Sequence, residues 1–147
     1  MDVDPVASQI LDPKTLKPGV WDMTQEMLKR WAAQGGTGVA PPHLSMGFNN
    51  TYVFLTDVLP RAIKKYGGID SEALRKAALD TDIPVGGTLQ GYGVKFYPPG
   101  HQLSGQNERA FPVVMQYVNG RARIVWPREV QTTDPVLPFP KGHSFAP

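Results

Sequence analysis

The sequence predicts an α/β chain: a strand, two helices, then a β-hairpin. Three observations carry this. The run Leu44-Ser45-Met46-Gly47-Phe48 is apolar and short, as a buried strand is. Tyr52, Leu55, Leu59, Ala62 and Tyr66 then recur at alternating steps of three and four, which places them on one helical face. Further on, Asn119-Gly120 stands between two alternating runs, and that dipeptide favours the type I′ turn of a tight hairpin.

Composition narrows the class. A chain of 147 residues with 41% hydrophobic and 10% aromatic residues has the means for one domain with its own core. Its 15 Gly and 15 Pro gather in particular loops and towards the C-terminus. No apolar run approaches the roughly 20 residues that span a bilayer, and the N-terminus lacks the charged start and apolar core of a signal peptide. With no Cys there is neither a disulfide framework nor thiolate chemistry. The net charge of +2 is spread thinly, no basic run being longer than a pair such as Lys29-Arg30 or Lys64-Lys65. A nucleic-acid partner would need many such charges on one face, so none is expected.

In chain order, residues 1–19 carry Pro5, Pro13 and Pro18 and no sustained period, so they are expected to be irregular, with Val6, Ile10 and Leu11 docking locally. Residues 22–34 read as a helix with Asp22 as N-cap, Gln25 at N3, and Met23, Met27, Leu28 and Trp31 on its apolar face. Gly35-Gly36 ends it, and a Gly/Pro-rich link leads to the strand at 44–48. Asn49-Asn50 would then cap the long helix, with Lys64 and Lys65 in its last turn and Gly67 beyond its end. Pro60 falls inside that pattern, which means either a kink or two pieces with Pro60 in the first turn of the second. Residues 71–79 form the next helix, with Asp70 as N-cap and Ile69 and Leu74 as a hydrophobic staple. From 85 to 106 the chain is turn-rich, with one strand-like run, Val94-Lys95-Phe96-Tyr97, before the Pro98-Pro99-Gly100 turn.

The Asn119-Gly120 turn sets a register. Val118 faces Arg121, and Tyr117/Ala122, Met115/Ile124 and Val113/Trp126 pair on an apolar face that wants a core. Gln116/Arg123 and Val118/Arg121 pair on the other, with both arginines in water. The proline-rich segment after Trp126 reads as irregular or polyproline-like, giving two regions, 1–127 and 128–147.

Few motifs carry chemistry. The glycines of Gly86-Gly87-Thr88-Leu89-Gln90-Gly91-Tyr92-Gly93 match neither a dinucleotide fingerprint nor a Walker loop, so they read as a turn. His43, His101 and His143 are isolated and lack metal-ligand spacing; Ser45, Ser71 and Ser104 lack a nucleophile elbow. The Asn49-Asn50-Thr51 sequon is a common chance pattern. Nothing points to an enzyme, a metal or a cofactor. Met46, Phe48, Asn49 and Tyr52 are the candidate ligand-binding residues. They sit at the expected strand-to-helix junction, where open α/β sheets place ligands, and they combine an aromatic wall with an amide. The competing reading is a core strand with a satisfied cap.

The order of segments resembles the C-terminal third of a type I periplasmic solute-binding protein of the branched-chain amino-acid ABC-transporter class. The matching pieces are EMLKRWAAQG at 26–35, Asn50-Thr51-Tyr52 heading a long helix, GGIDSEALRKAAL at 67–79, the turn before GVKFYPPGHQ, and VVMQYVNGRARIVWP at 113–127. The resemblance lies in their order, and it covers most of the chain. It implies part of a fold of two Rossmann-like lobes that close on a small molecule, with residues 44–48 crossing between lobes and Phe48 and Asn49 near the cleft. Family chains are more than twice as long and begin with an export signal, so the resemblance implies a fragment or split-gene product. The family's ammonium- and carboxylate-binding residues fall mainly outside the matching part and are not carried over.

The expected function is therefore the solute-binding component of an ABC importer. Its ligand would be an amino acid or a small carboxylate, aromatic acids included. The implied partner is the transporter permease, and the implied location is the periplasm. A homodimer of the fragment would shelter apolar faces meant for a larger sheet. The rival is a free-standing interaction module that uses the hairpin or the proline-rich tail and has no small-molecule ligand.

Overall fold

The structure, a computed structural model, describes residues 12–37 and 40–138. The expectations for Val6, Ile10, Leu11 and His143, and for the tail beyond residue 138, lie outside the described residues. Two compact units are present, the first ending at Phe111 and the second beginning at Pro112. The fold is mixed α/β: α-helical segments in the first unit and a two-stranded antiparallel sheet in the second.

Helix α1 runs Val20–Ala33, two residues earlier than expected at its start. Gly19, at φ 83°, turns the chain into the helix in a conformation that side chains resist. Asp22 is thus not the N-cap. It lies in the first turn, where its charge suits the positive end of the helix dipole. Val20, Thr24 and Met27 are the buried positions. Gly36 sits so close to the Trp31 indole that a Cβ there would lie 2.2 Å from it.

The central expectation is overturned: residues 44–48 form no strand. They lie inside helix α2, Pro42–Val53. Pro42 stands in its first turn, where the locked φ and missing N–H of proline are an advantage. A strand at 44–48 would need neighbours for its backbone groups, whereas a helix satisfies them internally. Asn49 and Asn50 are consequently mid-helix and cap nothing.

A π-helical turn, Phe54–Val58, joins α2 to helix α3, Leu59–Tyr66. The Leu59 amide reaches back five residues to the Phe54 carbonyl. Pro60 falls in the first turn of α3, so the two-piece alternative holds. The wider turn loosens the ladder where proline lacks an N–H and its ring would press on the carbonyl four residues back. It also resets the buried face. Ser45, Asn49, Val58 and Ala62 are buried and Val53 and Tyr66 half-buried, a succession that steps by five once, across the π turn, and by four elsewhere. The expected face fails at its start for the same reason: Tyr52 is 43% exposed and Leu55 52%.

Helix α4, Ser71–Leu79, matches the expectation, and the Asp70 carboxylate accepts from the amides of Glu72 and Ala73. Ile69 is 65% exposed, so no staple forms across it. Val58, Ala62, Ala73 and Ala77 make one buried cluster, in which three alanines let α3 and α4 approach closely. The Asp57, Arg61 and Thr81 side chains stitch the same pair: Arg61 Nη1 donates to Asp57 Oδ2 at 2.8 Å and to the Ala77 carbonyl at 2.9 Å, and the Thr81 hydroxyl donates to Asp57 Oδ2 at 2.8 Å.

The Gly-rich stretch is a turn, as read, and Leu89 from it packs fully buried against Met27 of α1. The strand-like run at 94–97 is reduced to two isolated bridges, Ile83 with Val94 and Phe96 with Asn107. Asn107 organises this loop: its Oδ1 accepts from the amides of Lys95 and Arg109, and its Nδ2 donates to the Gly93 carbonyl.

In the second unit, strand β1, Val114–Val118, pairs with β2, Arg121–Trp126. Asn119 and Gly120 take φ values of 53° and 73°, the signature of a type I′ turn. The register from Val118/Arg121 to Met115/Ile124 is as expected. Beyond that, Val114 rather than Val113 faces Trp126, because an irregularity there gives β2 one extra residue. Ile124 is fully buried, while Tyr117 is 62% and Trp126 51% exposed. The chain after β2 makes a short 3-10 turn at Arg128–Val130 and returns beside the hairpin. There the Ile124 amide donates to the Thr132 hydroxyl at 2.9 Å, and Gln116 bonds both backbone groups of Val136.

Candidate functional site

The change from strand to helix redistributes the four candidate residues. In a strand Met46 and Phe48 would face the same way. In a helix, two residues apart means about 200° round the axis, so they lie on opposite sides of α2. Phe48 and Tyr52, one turn apart, do come together: their rings stack with centroids 6.4 Å apart and 9° between planes. Both are exposed at the surface of the first unit, as is Met46 on its separate flank.

Asn49 is buried, 2% exposed. Its Oδ1 accepts from the Leu89 amide at 3.2 Å, and its Nδ2 faces Gln90 Oε1 at 3.4 Å. Gln90 Oε1 also receives the Tyr92 hydroxyl at 2.5 Å. The Asn49 amide therefore fastens the Gly-rich turn to α2, holding Leu89 in place against α1.

A groove of about 580 Å³ opens on the other flank of α2, a size suited to a small organic ligand. Val53, Phe54 and Val58 form one wall, Leu74 and Ala78 of α4 the other, and Val94 and Phe96 close it, with Asn49, Asn50, Ser71 and Arg75 as the polar members. Arg75 is held by Glu72 through two hydrogen bonds of 2.8 Å. That contact, Arg75 first and Lys76 less so, lowers the Glu72 carboxyl to about 2. A ligand carboxylate approaching Arg75 would compete with Glu72 for its donors. The sequence reading missed this groove because its walls come from three separated segments. The alternation of Val94 and Phe96 on one side of the strand-like run was the available signal.

His43 and His101 are exposed, and His101 stacks on Tyr97 at 4.3 Å. Among the described residues no group of three or more His, Asp or Glu side chains could hold a metal ion. No helix among them is long and apolar enough to cross a membrane.

Comparison with known proteins adds the following. No family model matches the chain, and no solved structure gives a significant match. Among curated proteins, the chain is similar to Leu/Ile/Val-binding protein homolog 7 of Brucella abortus, at 33% identity over 92 residues, which is 63% of this chain and 22% of that protein. It is similar to the Brucella suis protein of the same name at 35% identity over 81 residues, 55% of this chain and 19% of that one. The chain thus spans about a fifth of the length of the curated relatives it matches. Over some 60% of its length, it is homologous at low identity to proteins named as homologues of a Leu/Ile/Val-binding protein.

Proposed function

We propose that the chain is the C-terminal portion of a solute-binding protein that supplies an ABC importer in the periplasm. It takes an amino acid or a small carboxylate, aromatic acids included, and meets the importer's permease. The observation that carries this reading is the 33–35% identity to the Brucella Leu/Ile/Val-binding protein homologues. The ordered segments and the mixed α/β architecture support it. In this reading the stacked Phe48 and Tyr52 rings form an apolar wall for the ligand. Asn49 braces that wall through the Leu89–Gln90 turn, and Met46 extends the apolar surface on the groove side of α2. The opposite wall belongs to sequence of the kind the relatives carry and this chain does not span. Left alone, the exposed aromatic face favours a homodimer.

The test is a graft. The matching 81-residue segment of the Brucella suis homologue is replaced by this chain's own, and parent and chimera are titrated calorimetrically with leucine, isoleucine, valine, phenylalanine and benzoate. A chimera that binds one of these supports the reading. In it, Phe48→Ala with Tyr52→Ala should weaken binding roughly tenfold or more without moving the melting temperature. A folded chimera that binds nothing the parent binds overturns it. The rival, an interaction module, draws on the exposed Tyr117 and Trp126 of the hairpin; a protein captured through that hairpin, from a chain whose graft is silent, would favour it.

A further inference from the structure

The second unit holds a pocket of another character. It measures about 490 Å³ and is lined by Val118, Asn119, Arg121, Arg123, Thr132 and Thr133. Arg121 and Arg123 alternate along β2, so both project from the same face of the hairpin, with Cα atoms about 6.6 Å apart at ~3.3 Å per residue. Their cross-strand neighbours are Val118 and Gln116, neither of them acidic. The basic side chains elsewhere are often paired: Arg30 with Glu26, Arg61 with Asp57, Arg75 with Glu72, Arg109 with Asp82. Among the described residues no carboxylate lies within ion-pair distance of Arg121 or Arg123. Asp134, the acid nearest the pocket in sequence, accepts instead from Gln131 Nε2 at 3.0 Å.

The far wall is fixed in place. Thr132 receives the Ile124 amide on its hydroxyl at 2.9 Å and donates its own amide to the Ile124 carbonyl at 2.8 Å. The Gln116 amide clamps Val136 from both sides, at 3.0 and 2.8 Å, a few residues further on. The returning segment is therefore tied to the hairpin at two points, one of them at Thr132 on the rim of the pocket itself. Two guanidinium forks and two threonines around one concavity suit an oxyanion, since each fork offers paired N–H donors matched to carboxylate or phosphate oxygens.

We propose that this pocket binds a small dianionic oxyanion, with the phosphate group of a small phosphate monoester as its occupant. Two cations without an acidic partner among the described residues balance two negative charges, which one carboxylate does not supply. The remaining volume accommodates an organic portion. The site stands apart from the solute-binding reading and does not depend on it.

The experiment uses the full chain and isothermal titration with inorganic phosphate, glycerol phosphate, succinate and acetate, at constant ionic strength. One-site saturation by phosphate and glycerol phosphate, with acetate inert, is the expected result. Succinate saturating in their place would overturn the phosphate assignment in favour of a dicarboxylate. Arg121→Gln with Arg123→Gln should weaken phosphate binding roughly tenfold or more, while Lys29→Gln, on the exposed side of α1, leaves it unchanged. Replacing both arginines by lysine keeps the charge and removes the forks, so binding should fall here too; binding as tight as the parent's would show mere surface charge and overturn the site. An unchanged melting curve for each variant separates loss of binding from loss of fold. Absence of saturation by any dianion at millimolar concentration also overturns the proposal.

Discussion

Replacing Asn49 by alanine tests whether this side chain is a fastener of the fold. The amide of Leu89 is buried and donates to Asn49 Oδ1 at 3.2 Å. Removing the acceptor strands that donor away from water, at a cost of about 1–3 kcal/mol. The site is only 2% exposed, so the deleted atoms leave a void rather than a solvated notch, worth roughly 1 kcal/mol more. A total near 3 kcal/mol is a large part of the stability of a domain this size and should lower the melting temperature by about 10 °C. Thermal unfolding followed by circular dichroism at 222 nm reads this directly. Asn49→Asp sharpens the test. It keeps an acceptor for Leu89 but sets a second oxygen against Gln90 Oε1, so it too should destabilise at neutral pH and recover as the pH is lowered. A melting temperature within about 2 °C of the parent for Asn49→Ala would refute the argument and return Asn49 to the role of a ligand-facing amide.

Three further outcomes are expected. Gly120→Val should destabilise the second unit by about 1–2 kcal/mol, measured by urea unfolding: its φ of 73° is one that a β-branched residue resists, although its Cβ would meet no atom within 4 Å. Gly93→Ala should cost about 2–3 kcal/mol for the opposite reason, because its Cβ would fall 2.3 Å from the Ile83 carbonyl oxygen and 2.7 Å from the Pro84 backbone, which cannot swing aside. Hydrogen bonds from Lys65 and then Tyr66 hold the Asp80 carboxyl below its usual range, and Asp80 in turn raises Lys65. The ionised carboxylate is thus favoured by the fold, so its contribution is present above about pH 4 and is lost as the pH falls through the depressed value. The pair is exposed and the effect small; Asp80→Asn should flatten the acid limb of the stability curve, and an unchanged limb would count against it.

What the sequence made legible was local and self-contained. The hairpin register follows from one turn whose geometry Asn119-Gly120 dictates, and α4 follows from an Asp70 cap that acts within three residues. The central segment was misread because a five-residue apolar run satisfies strand and buried helix alike, and its length could not arbitrate. Pro42 was the better signal, since proline in a first turn marks a helix start. The buried stripe of α2 was hidden by its chemistry: Ser45 and Asn49, both polar, occupy positions where a hydrophobic pattern is sought. Ser45 turns its hydroxyl back to the Pro42 carbonyl, and Asn49 is explained by the turn at 88–92, forty residues away, a long-range pairing that leaves no periodic trace. Phe48 and Tyr52 meet in the structure because they are four apart, a spacing that brings two rings together in a helix and not in a strand.

The π turn also governs where this chain can change length. Between Asn49 and Ala62 the run is helical without a break, and both ends must face the same interior. Removing one residue from Phe54–Val58 would let the wide turn close to regular α geometry, so that the buried stripe steps by four throughout and Val58 and Ala62 keep their facing, but it would leave Pro60 in a regular interior. Adding one elsewhere in the run, with no second wide turn to absorb it, would rotate the downstream stripe by about 100°. A change of length in this stretch is therefore confined to the wide turn, while the exposed bend around Gly100 and Gly105, where an added Cβ meets nothing within 4 Å, is free to lengthen or shorten without the helices registering it.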